Sequence, residues 1–345
     1  MSKRTVIIGG VAGGMSAATR LRRNDEDREI IALEASGHVS FANCGLPYHI
    51  GSVIPERASL LLQTPQSLKN RFNVDVRVNT RATYIDREAK VVQTDAGDNI
   101  RYDELILTPG ATPILPPIDG IETALTLRTV EDMDAIVDAT TNAQHAAVIG
   151  GGFIGVELAE NLRHRGMQVT LVEASPQVMG PFDPEMAILV QRRLEDNGVT
   201  VRTRAQATAI NNGQVTLANG TTIDADVTVA AIGVRPSTQL AEDAGLEVGL
   251  GIVVDEFLRT SDPSTYSLGD AVEKRDAFDG SQVLVPLAQT ANRHGRLVAD
   301  IITGRQTKAM PVLGTSILGV FGLQAAAVGW NEKRAGKDVR VIHIH

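Results

Sequence analysis

Two glycine-rich turns, GGVAGG at positions 9–14 and GGGFIG at 150–155, each stand between an apolar, β-branched run and a stretch of helical composition. That arrangement restricts the fold more than any other feature of the chain. A strand that turns through glycine into a helix lets the backbone approach a pyrophosphate and aims the helix N-terminus at its charge, while an acid closing the next strand accepts a ribose hydroxyl. In the first copy residues 5–8 read as the strand, 15–23 as the helix and 29–33 as the second strand, closed by Glu34. In the second the strand opens at Ala146, the helix covers 153–165, Gly166 ends it, and 168–172 is closed by Glu173. Gly9 lies 25 residues before Glu34, and Gly150 lies 23 before Glu173. The spacing predicts an α/β chain with two Rossmann-like dinucleotide-binding domains, and so two bound nucleotides. The second copy keeps all three glycines of G-x-G-x-x-G, Gly150, Gly152 and Gly155; the first keeps Gly9 and Gly14 but has Val11 in the middle, which weakens the expectation of a close diphosphate approach there. The alternative is that one copy is a degenerate unit without a ligand.

Composition narrows the class of partner. A chain of 345 residues with 43% apolar content holds two or three globular domains. Its 33 Lys and Arg against 41 Asp and Glu leave a net charge of −8 with no basic run, so nucleic acid is not an expected partner. The opening MSKRTVIIGG puts positive charge before an apolar run, but glycines cut that run short after Ile8, and it reads as a first strand rather than a signal peptide. No stretch approaches the roughly 18 to 20 apolar residues that span a bilayer. One cysteine cannot form an internal disulfide, and a reducing cytoplasm is the expected location.

That cysteine is Cys44, in the segment SFANCGLPY at 40–48, ten residues after Glu34. A lone cysteine is most often a small buried hydrophobe. Here Gly45, Leu46, Pro47 and Tyr48 resemble the start of a helix, and a thiol at a helix N-terminus ionises more readily, as a nucleophile or redox centre must. LILTPGATP at 105–113 and AAIGVRP at 230–236 are buried strands that leave through turns, and they mark where the chain passes between a first nucleotide domain and a second inserted into it. TSDPSTYSLGD at 260–270 is a short strand ending in Gly269 and Asp270, where a carboxylate can meet a sugar hydroxyl, although Gly-Asp after a strand is commonly only a turn. A helix is expected over 287–303.

Together these residues resemble the single-cysteine pyridine nucleotide-disulfide oxidoreductases, in the coenzyme A disulfide reductase and NADH polysulfide reductase branch. The likeness covers nearly the whole chain from Val6; the glycine motifs specify the superfamily and SFANCGLPY the branch. The resemblance implies FAD in the first unit, with Glu34 on its adenosine ribose and Asp270 on its ribityl chain. It implies NADH or NADPH in the second, with Phe153 over the flavin face and Glu157 near the nicotinamide, and it adds Gly110 and Gly233 to the cofactor-binding residues. It implies an FAD domain of residues 1–115 and 250–325, an NAD(P)H domain of 116–249 and the start of a truncated dimerisation domain at 326–345, the intact family being homodimeric. Cys44 becomes the catalytic residue, acting on a small-molecule disulfide with coenzyme A as the bound thiol. Ser40 and Asn43 hold that substrate, and Arg20, Arg23 and Arg71 meet its phosphates, unless that arginine-rich face is merely solvated. Glu173 at the second strand end, with no arginine in 174–178, favours NADH over NADPH.

Two departures qualify the likeness. Position 49, where dithiol relatives place a second cysteine, is His49, so Cys44 pairs with a diffusible thiol or with oxygen as a sulfenic acid. Ala12 stands where similar NADH peroxidases and oxidases carry a histidine in the first turn, which moves the expectation toward thiol chemistry. The chain stops at VRVIHIH, a strand-like alternation, and is expected to be a fragment lacking the family's last domain and its acid tyrosines; His49 and His294 are the nearest substitutes for that acid, or simply structural. An NADH oxidase or peroxidase, and a flavin redox sensor or electron carrier, stand as alternatives to the disulfide reductase.

Overall fold

The computed structural model describes residues 2–344, which divide into two compact units. One comprises residues up to Asn43 with 58–112 and 235–312; the other comprises 44–57, 113–234 and the residues from Leu313 onward. The expected α/β fold with two Rossmann-like sheets is borne out.

In the first unit five parallel strands run in the order Thr265–Ser267, Glu104–Leu107, Arg4–Ile8, Glu29–Leu33, Asp75–Arg77. The sheet is apolar on both faces, as a parallel sheet covered on both sides must be. Ile7 packs with Leu21, Ile30, Leu68 and Val298 on one face, while its neighbours Val6 and Ile8 join Leu33, Ile85, Val92 and Ile252 on the other. Each such side chain buried from water contributes about 1.5–3 kcal/mol. The first face is covered by the helices Ala12–Asn24 and Ala288–Ile302, which meet through small residues, among them Gly13, Ala17, Ala291 and Gly295. A three-stranded antiparallel sheet, Ala82–Asp86, Val91–Thr94 and Asn99–Arg101, precedes the strand Glu104–Leu107.

The second unit repeats this plan on a smaller scale. Four parallel strands lie in the order Val199–Arg202, Gln168–Val172, His145–Ile149, Val227–Ala230, and a three-stranded antiparallel sheet, Ala207–Asn211, Gln214–Leu217 and Thr222–Asp224, again precedes the last of them. Near its end a hairpin pairs Ser316–Val320 with Leu323–Ala327.

Element boundaries differ from the sequence expectation in two places. The first helix begins at Ala12, inside the glycine motif, because Val11 takes the N-cap position and the glycines that follow pack against neighbouring backbone. The alternating run at the carboxyl end forms no strand through Ile344, and Val339, Val341, Ile342 and Ile344 are exposed: alternation makes a strand only where a partner edge accepts its hydrogen bonds. Among the described residues no helix is long and apolar enough to cross a membrane, and no group of three His, Cys, Asp or Glu is placed to hold a metal ion.

The helix crossing yields a test. A methyl group on Gly295 would overlap the carbonyl oxygen of Gly13 and lie 2.9 Å from Ser16 Cβ and 3.0 Å from Ala17 N. Gly295→Ala is therefore expected to destabilise the fold by about 1–3 kcal/mol, the usual cost of overpacking, despite alanine's better helix propensity. Thermal unfolding followed by circular dichroism checks it, with a Tm lowered by several degrees.

Candidate functional site

The two glycine turns are built alike, down to their hydrogen bonds. Gly9 and Gly150 take φ of +105° and +112°, in the region glycine alone enters freely, and a Cβ on either would collide with the chain leaving the neighbouring strand, at Thr108 in one unit and Ala231 in the other. A Cβ on Gly14 or Gly155 would overlap the carbonyl oxygen of Gly9 or Gly150. The backbone N–H of Gly10 donates to Glu34 Oε2 at 2.7 Å, and that of Gly151 donates to Glu173 Oε2 at 2.6 Å. The other oxygen of each carboxylate accepts from the residue two places on, Ser36 N at 2.8 Å and Ser175 N at 2.7 Å. Each acid is thus locked against its own turn at the carboxyl end of a parallel strand, where ligands of open α/β sheets bind.

The middle position separates the copies. The Cβ that Gly152 lacks would face open space, so nothing in the protein requires glycine there and the room belongs to whatever the turn holds. Val11 at the matching place has an ordinary negative φ of −106°, so the turn keeps its course with a side chain present.

The rest of the first unit's site lies at the turn Gly269–Ala271, after the strand Thr265–Ser267. Asp270 is partly buried there. Lys274, which the sequence reading passed over, is 5% exposed and donates from Nζ to the carbonyl oxygens of Gly269 at 2.7 Å and Val272 at 3.1 Å, clamping the turn that presents Asp270. Burial pushes the lysine down to about 8, against the opposing influence of Asp270. His294, one turn beyond Ala291 on the helix Ala288–Ile302, is also 5% exposed, and its Nδ1 has no hydrogen-bond partner among the described residues. Burial first, then Lys274 and Arg293, push it down to about 4, so it is neutral at physiological pH.

The residues of this unit expected at the ligands differ in their surroundings. Arg20 is held by Asp300 through Nε at 2.8 Å and Nη2 at 3.1 Å. Arg23 and Arg71 are exposed and lie on the Phe72 ring, 5.8 and 5.3 Å from its centroid. Ser40 has φ +47°, and its N–H donates to Gly10 O at 2.9 Å, which ties the approach to SFANCGLPY to the first glycine turn. Asn43 N–H donates to Phe41 O at 3.1 Å. Gly110 accepts from Ser237 N at 3.0 Å.

In the second unit Cys44 is exposed, so the reading of a buried hydrophobe fails. It lies in the single turn Asn43–Gly45, followed by the helix Leu46–Ile50, which is five residues long. A helix that short presents a weaker dipole than the expectation of a helix N-terminus assumed. Tyr48 on that helix donates from its hydroxyl to Glu157 Oε1 at 3.3 Å, joining the Cys44 segment to the helix Phe153–His164. Gly51 lets the two segments meet, since a Cβ there would overlap the Asn161 side chain. Burial pushes Glu157 up to about 7, opposed by the Tyr48 hydrogen bond and aided by Glu160. Phe153 opens the same helix and meets Phe182 edge-on at 6.2 Å between centroids, and Gly233 accepts from Ile114 N at 3.0 Å. His49 turns to its own backbone, its Nδ1 2.7 Å from Ile54 O, and serves the local fold.

The chain matches the model of the pyridine nucleotide-disulphide oxidoreductases over residues 3–295. It belongs to that family. The family is FAD- and NADH-dependent, and the residues fit such groups: an open cradle at Gly152, two acids locked at strand ends, and an unpartnered buried nitrogen on His294 beside the Asp270 turn. Among similar proteins are the NADH oxidase of Methanocaldococcus jannaschii, 33% identical over 339 residues covering 94% of this chain and 76% of that protein; the reduced Bacillus anthracis CoADR-RHD, 46% identical, with TM-score 0.94 over 97% of this chain and 63% of that one; and an NAD-dependent persulfide reductase from A. fulgidus, 39% identical, with TM-score 0.94 over 96% of this chain and 65% of that one. The chain thus spans a little under two thirds of the length of those two structures.

The depressed His294 gives a pH test. Unfolded, a histidine takes up a proton near its ordinary value of 6.5, whereas in the fold it does so only at about 4. Between those values the unfolded chain binds more protons, so stability is full above 6.5 and falls as the pH drops toward 4, by on the order of 3 kcal/mol. His294→Gln is expected to flatten that part of the denaturation midpoint's pH profile.

Proposed function

We propose that this chain uses Cys44 to reduce coenzyme A disulfide, or a coenzyme A persulfide or polysulfide, with electrons from NADH passed through FAD. The observation that carries this reading is an exposed sole cysteine directly before a helix whose tyrosine is bonded to the helix of the second glycine motif. With no second cysteine, the oxidised form of Cys44 includes an outside partner. Similarity to a CoADR-RHD and to a persulfide reductase, at 46% and 39% identity, supports a thiol as that partner.

In this reading residues 1–115 and 250–325 form the FAD domain, with Gly9, Gly14, Glu34, Gly110 and Asp270 at the cofactor. Residues 116–249 form the NADH domain, with Gly150, Gly152, Phe153, Gly155, Glu157, Glu173 and Gly233. FAD when bound supplies two-electron transfer between nicotinamide and sulfur. Glu173 accepts the ribose hydroxyl of NADH and repels a 2′-phosphate. The Cys44 thiolate attacks one sulfur of the incoming disulfide, forms a mixed disulfide with it and expels the other half as a thiolate. Two electrons then cleave the mixed disulfide, returning the Cys44 thiolate and releasing the second half. Of the three arginines expected at the substrate, Arg23 and Arg71 make no ion pair with a carboxylate among the described residues, and they are the cations left for its phosphates. Arg20 is spent on Asp300 and acts through the helix pair instead.

A second reading, an NADH oxidase in which Cys44 cycles through a sulfenic acid, has the 33% identical M. jannaschii protein in its favour. Ala12 speaks against it, lacking the imidazole that guards such an acid in similar enzymes.

Intact mass of protein purified without reductant and denatured to shed FAD separates the two. A coenzyme A adduct on Cys44 that dithiothreitol removes is the expected result. An added oxygen, or an unmodified thiol with rapid oxygen consumption under NADH, points to the oxidase. Cys44→Ser is expected to lower disulfide-dependent NADH oxidation by roughly three orders of magnitude.

A further inference from the structure

Reducing a disulfide with NADH consumes one proton from solution: R–S–S–R + NADH + H⁺ gives two R–SH and NAD⁺. The hydride brings two electrons and one proton, and the second proton must be held near the sulfur by a group that is partly protonated near neutral pH. We propose that the Tyr48 hydroxyl and the Glu157 carboxyl hold that proton for the Cys44 site. The inference rests on the disulfide reading above, and it assigns the pair a role beyond the binding of nucleotide.

Geometry supports it first. Tyr48 stands four residues after Cys44, on the helix that follows the cysteine turn, and Cys44 is the last and smallest of the influences that push its hydroxyl up. The same hydroxyl donates to Glu157 Oε1 at 3.3 Å, making a chain from the thiol's surroundings to a carboxyl. When Glu157 carries the proton the bond runs the other way, Glu157 donating to the Tyr48 oxygen and freeing the Tyr48 hydroxyl; a proton then moving from Glu157 to that oxygen while the Tyr48 proton leaves toward a thiolate keeps tyrosine neutral and leaves Glu157 as the carboxylate. Tyrosine alone is a poor source: burial, then Glu157 and Glu160, push it up to about 12, so it passes a proton only when another replaces it.

The surroundings keep Glu157 able to hold the proton. Glu160, one turn along the same helix, is buried; its Oε1 accepts from Phe321 N at 2.6 Å, and its Oε2 has no partner among the described residues. A second buried carboxylate disfavours ionisation of the first, and burial acts in the same direction. His164, on the same helix, lies 3.6 Å from Glu160 and interacts with that acid. Asn161 gives its amide to the Glu157 carbonyl oxygen at 2.8 Å. On the packed elements His49 faces Ile54 O, Arg165 follows the helix and faces Ile50 O, His145 pairs with Asp226, and Arg193 of the helix Pro184–Asp196 faces Phe321 O; Arg202 ends the strand Val199–Arg202. The groups that act on the Glu157 carboxyl are Tyr48 and Glu160.

The test uses the FAD-loaded full chain without any disulfide substrate. The rate of Cys44 alkylation by iodoacetamide is measured from about pH 5 to about pH 10, a window that brackets a raised carboxyl and a thiol. The expected wild-type profile has two inflections, the thiol's own and one near 7 from Glu157. Glu157→Gln is expected to leave one inflection. Tyr48→Phe is expected to move the inflection near 7 upward by about one unit, since the hydrogen bond it removes favours the carboxylate. A wild-type profile with a single inflection, or a Glu157→Gln profile that superimposes on wild type, overturns the proposal. Should Glu157→Gln fail to fold, the Tyr48→Phe shift decides, and an unshifted inflection counts against the pair. Because no disulfide is present, a negative result leaves the disulfide reading standing, whereas a mass spectrum showing an oxygen adduct would remove that reading and leave the titration intact.

Discussion

In both units a carboxylate at the end of the second strand takes the N–H of the second residue of the glycine turn, at 2.7 and 2.6 Å. This bond fixes the site in each unit. A turn that passes so near its neighbours must leave some donors without helical partners, and an unpaired buried N–H costs on the order of 1–3 kcal/mol. The carboxylate satisfies one donor, holds the turn at a fixed distance from the strand end, and is itself oriented by Ser36 or Ser175. A carboxylate results at a fixed spot beside a helix N-terminus in each unit.

The first unit supports its turn by tight helix packing. Glycine and alanine on the helices Ala12–Asn24 and Ala288–Ile302 let their backbones approach, while Arg20 and Asn24 share Asp300 at the far end of the crossing. The second unit supports its turn differently: the helix Phe153–His164 carries a polar face of Glu157, Glu160, Asn161 and His164 against the Cys44-bearing segment and the Ser316–Val320 hairpin. One motif therefore appears in two surroundings, one apolar and close-packed, the other polar and ionisable.

What was legible in the sequence was local. Glycine geometry, strand composition and the distance to Glu34 and Glu173 are decided within about 25 residues, and the sheets formed as read. Partnerships across long separations were not legible. Arg20 reads as a phosphate ligand until Asp300, 280 residues later, takes it; Tyr48 reads as part of a helix start until Glu157, 109 residues on, is found beside it. Lys274 was missed because lysine reads as surface, and only the fold shows two carbonyl oxygens waiting for its ammonium. Val11 looked like a defect, yet its backbone needs no glycine.

The strand order of the first sheet also sets a timetable for synthesis. The sheet's outer strand Thr265–Ser267 and the covering helix Ala288–Ile302 are made some 260 to 290 residues after Arg4–Ile8. At typical elongation rates that is roughly fifteen to sixty seconds, during which Ile7 and Leu21 lack part of their cover. The central parallel sheet of the second unit, bounded by 145 and 230, is complete well before then. Within this unit the helix Ala12–Asn24 is thus the element that waits longest for the partner it packs against.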